Sequence, residues 1–197
     1  MSVREERSEA TRAQLIATAA ELFAARGYAG VGTEDVVRGA GLTRGALYHH
    51  FADKRELFAA VHERLEQELI TAIGNRLAER SGDIDPGELL VFGMHAFLDA
   101  CLEPAVLRIT LQDAPTVLGW PRWREVSERY GLGLTISVLQ TAMDAGALRR
   151  QDPRPLAHLI LAALAEAAQL IAHAPDPVTA RAEVEPALLS LLAGLRP

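Results

Sequence analysis

Residues 40–58 read AGLTRGALYHHFADKRELF. Two short helical stretches flank Gly41: Thr33 to Ala40 before it and Thr43 to Phe51 after it. Glycine at the junction permits the left-handed backbone that a sharp reversal needs. Thr33 and Thr43 each open a stretch and suit the N-cap position. Glu34 and Asp35 then fall in a first turn, where the helix dipole favours negative charge. Leu47 and Phe51 stand four residues apart and share a buried face. Two short helices across a tight turn form the layout of a helix-turn-helix, whose second helix enters the DNA major groove.

The helical period extends outward in both directions. Upstream, Leu15, Ile16, Ala19, Leu22 and Phe23 recur at three- and four-residue spacing, predicting a helix from about Ser8 to Arg26 closed by Gly27. Downstream, Asp53 and Glu56 hold a variant of the capping-box spacing. They open a helix with Leu57, Val61, Leu65, Leu69, Ile73 and Leu77 on one stripe. It reaches about Arg80, a length of roughly 40 Å. Ser81 to Asp85 reads as a loop, and Pro86 suits the first turn of a helix reaching Leu102. That helix is apolar nearly all round, which predicts a central position. Pro104 starts a sixth helix, Pro115 to Pro121 reads as a connector, and a seventh helix runs from Pro121 to Ala145 before Gly146. An eighth covers Arg154 to His173. The last lies within Pro177 to Leu195, with a kink at Pro186 or a start near Glu185, because proline inside a helix costs ~3 kcal/mol. No segment alternates with the two-residue period of a strand. The expected fold is all-α, about nine helices, with a three-helix head and a helical body.

Composition narrows the function. The chain has 197 residues, 49% of them apolar and 23% charged, with a formal net charge of −6. Such a chain can bury enough apolar surface to fold. One cysteine excludes an intramolecular disulfide framework and a cysteine-rich zinc site. Up to Glu56 eight basic and eight acidic residues balance, so the acidic excess lies wholly in the second part. Only the head can approach a polyanion. The start lacks the apolar core of a secretory signal. The most apolar run, Leu156 to Ala172, is interrupted by Glu166 and Gln169, so no membrane span and a cytoplasmic location are expected.

The second short helix carries the chemistry. Its N-terminus presents unpaired N–H groups, a positive dipole end and the Thr43 hydroxyl, and such ends suit phosphate. Arg44 in the first turn can reach base edges and matches the two acceptors of guanine. Gly45 and Ala46 are small and permit close approach. Tyr48, His49, His50 and Lys54 follow, each able to donate to phosphate oxygens. Each also has a plainer reading: Tyr48 as a helix-packing residue, one histidine of the pair turned inward, Arg44 solvated. Adjacent histidines cannot share one helical face, so no metal site is expected. No HExxH, phosphate loop, GxSxG or triad appears, so neither a catalytic residue nor a cofactor is expected.

The stretch TRAQLIATAAELFAARGYAGVGTEDVVRGAGLTRGALYHHFADKRELFAAV, Thr11 to Val61, resembles the DNA-binding region of the tetracycline-repressor (TetR) family of bacterial transcription regulators. Gly45, Leu47, Tyr48, Phe51, Lys54 and Leu57 stand at the family's characteristic positions. The resemblance implies nine or ten helices, a DNA-binding domain over residues 1–54, and a ligand-binding and dimerisation domain over residues 55–197. It implies a homodimer joined by the last two helices, a palindromic duplex operator, and release by a small-molecule effector. By position, Thr33, Thr43, Tyr48, His50 and Lys54 resemble phosphate contacts, and Arg44, Gly45 and His49 resemble base-facing ones. Ala46 departs from the threonine or serine common there and removes one hydroxyl contact. A ligand-independent repressor or architectural DNA-binding protein would share the same head.

In the body, AHLILAALAEAAQLIA (Ala157 to Ala172) is apolar on nearly every face and rich in alanine. With the run Leu188 to Leu195 it reads as a homodimer interface, the alternative being a buried core helix. Met94, Phe97 and Cys101 share a face of the fifth helix and, with His95 beside them, are candidates to line an effector pocket. Trp120 and Trp123 flank Pro121, and Tyr130 follows. Glu166, which inside an apolar helix needs an arginine, a solvent channel or a cationic ligand as partner, and Gln169 complete the candidates. Core packing is the competing reading for the apolar members.

Overall fold

The computed structural model describes residues 3–196. Among them lie nine α-helices, one π-helical segment and no strand: α1 (Val3–Arg26), α2 (Thr33–Gly39), α3 (Arg44–His50), α4 (Lys54–Arg80), α5 (Pro86–Ala100), a π-helical turn (Val106–Asp113), α6 (Ala114–Leu118), α7 (Trp120–Asp144), α8 (Pro153–His173) and α9 (Pro177–Ala193). The helical class read from the periodicity is the observed one. The first residues of the expected head and the last residue of the expected body lie outside the described residues.

The described chain divides into two compact units. The first runs to Leu65 and takes in Pro104–Trp120; the second holds Glu66–Glu103 and continues from Pro121. In the first, Leu15, Ala19, Phe23, Val36, Leu47, Leu57, Phe58 and Val61 form a sealed core. Phe58 meets Phe23 and Tyr28 edge to face, with ring centroids 5.2 and 5.0 Å away, and Phe23 and Tyr28 lie tilted at 5.9 Å. In the second, Leu90, Leu139, Ala142, Met143, Leu148, Ala157 and Ile160 form one cluster, and Ile73, Leu77, Leu89 and Ala96 another.

Local chemistry explains where the elements start. Asp85, Asp152 and Asp176 each accept a hydrogen bond from the backbone N–H two residues on, with proline at the first helical position of α5, α8 and α9. This is the arrangement that a missing proline N–H tolerates best.

Three expectations need correction. The N-cap of α2 is Gly32, not Thr33: the Asp35 carboxylate accepts the Gly32 N–H at 3.0 Å. Thr33 is the first helical residue. The expected connector from Pro115 to Pro121 is mostly helix, because Pro115 and Pro121 each sit in the first turn of α6 and α7, where no N–H partner is lost. The break falls at Gly119 alone, at φ +86°. Finally, α9 starts at Pro177 and runs through Pro186. Asp176 caps it early, and Ala182, whose carbonyl the proline leaves unbonded, is exposed to water.

Candidate nucleic-acid interface

Gly41, at φ +64°, turns the chain between α2 and α3. A Cβ there would meet nothing within 4 Å, so the positive φ alone requires glycine. Thr43 caps α3 as expected, its Oγ1 accepting the Ala46 N–H at 3.2 Å. Leu47 and Phe51 anchor the helix inward at 0% and 5% exposure. With that face fixed, Thr43, Arg44, Gly45, Tyr48 and His49 are all exposed, and Thr33 and His50 are half-exposed beside them.

The polar groups on this face are ordered by one another. Arg44 forms an ion pair with Glu34 of α2 at 3.2 Å, and its guanidinium lies 5.5 Å from the Tyr48 ring centroid. The Thr33 hydroxyl first, and Arg44 second, hold the Tyr48 phenol below its usual pKa. His49 and His50 stand edge to face at 5.0 Å. Partial burial, the neighbouring His49 and Arg12 together lower the His50 pKa, so that ring is neutral at pH 7. Gly45 has room: an added Cβ would meet only Thr43 Oγ1, at 3.9 Å. Glycine in a helix costs about 1 kcal/mol against alanine. No contact within the head requires glycine there.

Lys54 sits apart from that face. Its Nζ donates to the carbonyls of Tyr28 and Val31, both at 2.9 Å, and lies 4.0 Å from the Tyr28 ring centroid. An ammonium has three N–H donors, so one remains for an outside acceptor. Glu34 as the partner of Arg44 escaped the sequence reading, although an acid and a base opposed across a helix-turn-helix could have suggested it.

The π-helical turn docks onto the bend between α1 and α2. The Tyr28 N–H donates to Asp113 Oδ2 at 2.7 Å, and Arg108 pairs with the same carboxylate at 3.4 Å. Gly27, at φ +69°, leaves room for Arg108, whose guanidinium would lie 2.0 Å from any Cβ there. Arg55 donates to the carbonyls of Val117 and Leu118. None of these contacts was legible from periodicity.

The candidate effector residues do not form one set. Trp120 belongs to the first unit and is exposed; the other eight belong to the second. Met94, Cys101 and Trp123 are buried, Phe97 packs beside the Ile73 cluster, and Tyr130 and Gln169 are partly exposed. His95 Nε2 lies 3.1 Å from Glu185 on α9. Burial pushes the Cys101 thiol up to about 12, which makes it inert. Glu166 is exposed, so water solvates it, as the solvent reading allows. Among the described residues no group of three or more His, Cys, Asp or Glu could hold a metal ion.

A tight helix-turn-helix with a capped, exposed second helix bearing arginine, glycine, tyrosine and histidine defines a DNA-binding transcriptional regulator. Residues 15–61 match the family model for bacterial regulatory proteins of the tetR family, and residues 88–195 match that for the tetracyclin repressor-like C-terminal domain. The chain belongs to the TetR family. It is 38% identical to a TetR-family transcriptional regulator from Pectobacterium atrosepticum, whose crystal structure superposes with a TM-score of 0.87 over 100% of this chain and 98% of that one. The Transposon Tn10 TetC protein of Escherichia coli is 24% identical over 156 residues, 79% of this chain and 77% of its own. RolR in complex with resorcinol shares the fold at a TM-score of 0.74 and 23% identity, over 95% of this chain and 89% of that one. The family consists of transcriptional regulators, not enzymes.

Proposed function

We propose that the chain is a cytoplasmic repressor that binds a palindromic operator as a homodimer and leaves it when a small molecule binds the body. The observation that carries the DNA contact is the single exposed face of α3, with Thr43, Arg44, Gly45, Tyr48 and His49 side by side. Arg44 and Gly45, with His49, meet base edges. Thr33, Thr43, Tyr48, His50 and the third N–H of Lys54 hold phosphates. Residues 1–54 supply this function, and residues 55–197 bind the effector and the second subunit.

The dimer reading draws on α8 and α9. Leu159 (69%), Leu170 (54%), Val178 (64%) and Leu191 (62%) are the most exposed large apolar side chains in the second unit. By length and composition α8 could cross a membrane, and it is only partly buried by the chain's own packing, with Leu159 and Leu170 exposed. In a protein of a DNA-binding family, a second copy covers that face better than lipid does. A twofold pair presents two α3 helices to half-sites a helical turn, or a modest multiple of it, apart.

Effector release is a population shift: the ligand binds more tightly to a conformation whose heads no longer match the half-site spacing. The ligand-bound RolR neighbour supports a ligand-responsive body. A gel shift with an operator selected from random duplexes, run with and without stabilising small molecules found by thermal shift, tests the whole reading. Retention of DNA by every ligand-saturated complex favours a ligand-independent repressor or architectural role instead.

A further inference from the structure

His62, Glu66 and Thr110 are the polar residues buried among the described ones. Glu66 lies on α4 at 5% exposure, and its Oε1 accepts a hydrogen bond from Ser127 Oγ of α7 at 3.2 Å. A carboxylate offers about four acceptor sites, and this hydroxyl fills one. No lysine or arginine charge acts on Glu66, and the buried His62 stands one turn earlier on the same face of α4. Arg181, whose charge reaches Cys101 as that of Glu66 does, is already held by Asp99 at 2.6 Å and by Glu185. Packing alone needs no carboxyl here; leucine or methionine would fill a similar volume without the cost of a buried, uncompensated acid. A buried acid with spare acceptor capacity marks a site where something else supplies the donor.

We propose that Glu66 is the recognition group of the effector site, and that the effector is an apolar body carrying one hydrogen-bond donor, an amine or a hydroxyl, and no negative charge. This rests on the ligand-responsive reading above and adds the chemistry of the ligand to it. The surroundings fit an apolar body. Trp123 stands one turn before Ser127 on α7 and is buried, and Met94, Leu98 and Cys101 are buried along one face of α5. An anion would be repelled by Glu66 when ionised.

The two donor chemistries separate by pH. Burial pushes the Glu66 carboxyl up to about 7, with the Ser127 bond acting in the opposite direction. An ammonium binds the ionised form, so its affinity rises from pH 6 to pH 8. A hydroxyl can donate to either form and changes less. The groups facing Glu66 are Ser127 from α7 and the Cys101 thiol from α5, with Asp99 and Arg181 acting on that thiol. His62 lies one turn earlier on α4. The thiol stays protonated across this range.

The test is calorimetric titration of the full chain with phenethylamine, phenethyl alcohol, hydrocinnamate and propylbenzene, in the wild type and in Glu66→Gln and Glu66→Leu. The expected result is that the amine and the alcohol bind the wild type at least about tenfold more tightly than hydrocinnamate, that Glu66→Gln weakens the amine most, and that Glu66→Leu abolishes the preference. DNA binding by each variant shows that it is folded. Equal or tighter binding of hydrocinnamate, survival of the preference in Glu66→Leu, or no binding by either donor probe overturns the assignment. If a bound probe of any class releases DNA, the ligand-release reading stands even where the Glu66 assignment falls. If the donor probes bind through Glu66 and DNA is retained, the reverse holds.

Discussion

Replacing Glu66 by glutamine should change how folding stability depends on pH. The folded-state pKa is pushed up to about 7, chiefly by burial, the Ser127 bond acting the other way. In the unfolded chain a glutamate titrates near about 4.3. Below about pH 4 the carboxyl is protonated in both states and costs nothing. Between about pH 4.5 and 7 the unfolded chain has released a proton that the folded chain still holds, so stability falls as pH rises. Above pH 7 the full penalty is present. Some 2.5 pH units at about 1.4 kcal/mol each give a full penalty of about 3–4 kcal/mol. For a chain of this size that corresponds to about 6–16 °C in Tm. Glutamine keeps the shape and a hydrogen bond to Ser127 without ionising. Urea melts of both proteins from pH 4.5 to pH 8 should therefore show the variant gaining about 3 kcal/mol on the wild type across the series. Parallel stability curves would refute the claim that Glu66 is held neutral by its surroundings.

The remaining predictions concern the head and the dimer face. Arg44→Ala should cost about 1–3 kcal/mol of base discrimination, read as a relaxed preference between operator and scrambled duplex in anisotropy titrations. Because Glu34 pairs with Arg44 at 3.2 Å, Glu34→Gln should tighten binding to non-specific duplex a few-fold, and less so in an Arg44→Ala background; an equal effect in both backgrounds would mean that the pair does not restrain the arginine. Lys54→Ala should lower Tm as well as weaken all DNA binding and flatten its salt dependence, because the ammonium also holds Tyr28 and Val31. Gly27→Ala should destabilise the fold by about 1–2 kcal/mol through the positive φ and the displaced Arg108. Leu159→Glu combined with Leu191→Glu should yield a folded monomer in analytical ultracentrifugation, and a persistent dimer would place the interface elsewhere.

The head was legible because its signals are local. Gly41, Thr43 and the Leu47–Phe51 spacing each act within a few residues, and each does in the structure what its chemistry dictates. The same local rules place the cap of α2 at Thr33, whereas the helix begins one residue earlier, with Gly32 as N-cap and its N–H bonded to Asp35 at N3. The connector expected from Pro115 is helix because Pro115 sits in the first turn of α6, where a missing N–H costs nothing, and Pro121 lies in the first turn of α7. Pro186 was overridden by the Asp176–Pro177 start upstream. What the sequence did not disclose are contacts between distant segments: Asp113 on the Tyr28 backbone, 85 residues away, and Ser127 on Glu66, 61 residues away. Glu66 sits beside the apolar stripe of α4 at helical spacing, and only the packing of α7 against it reveals that the acid is buried.

Selection of duplexes from a random pool by the purified protein tests the central claim most directly. The account predicts enrichment of an inverted repeat whose half-site centres lie one helical turn, or a modest multiple of it, apart, bound by two subunits and lost from the pool when Arg44→Ala is used instead. Enrichment of nothing, or of a single unpaired half-site bound by one subunit, would contradict it.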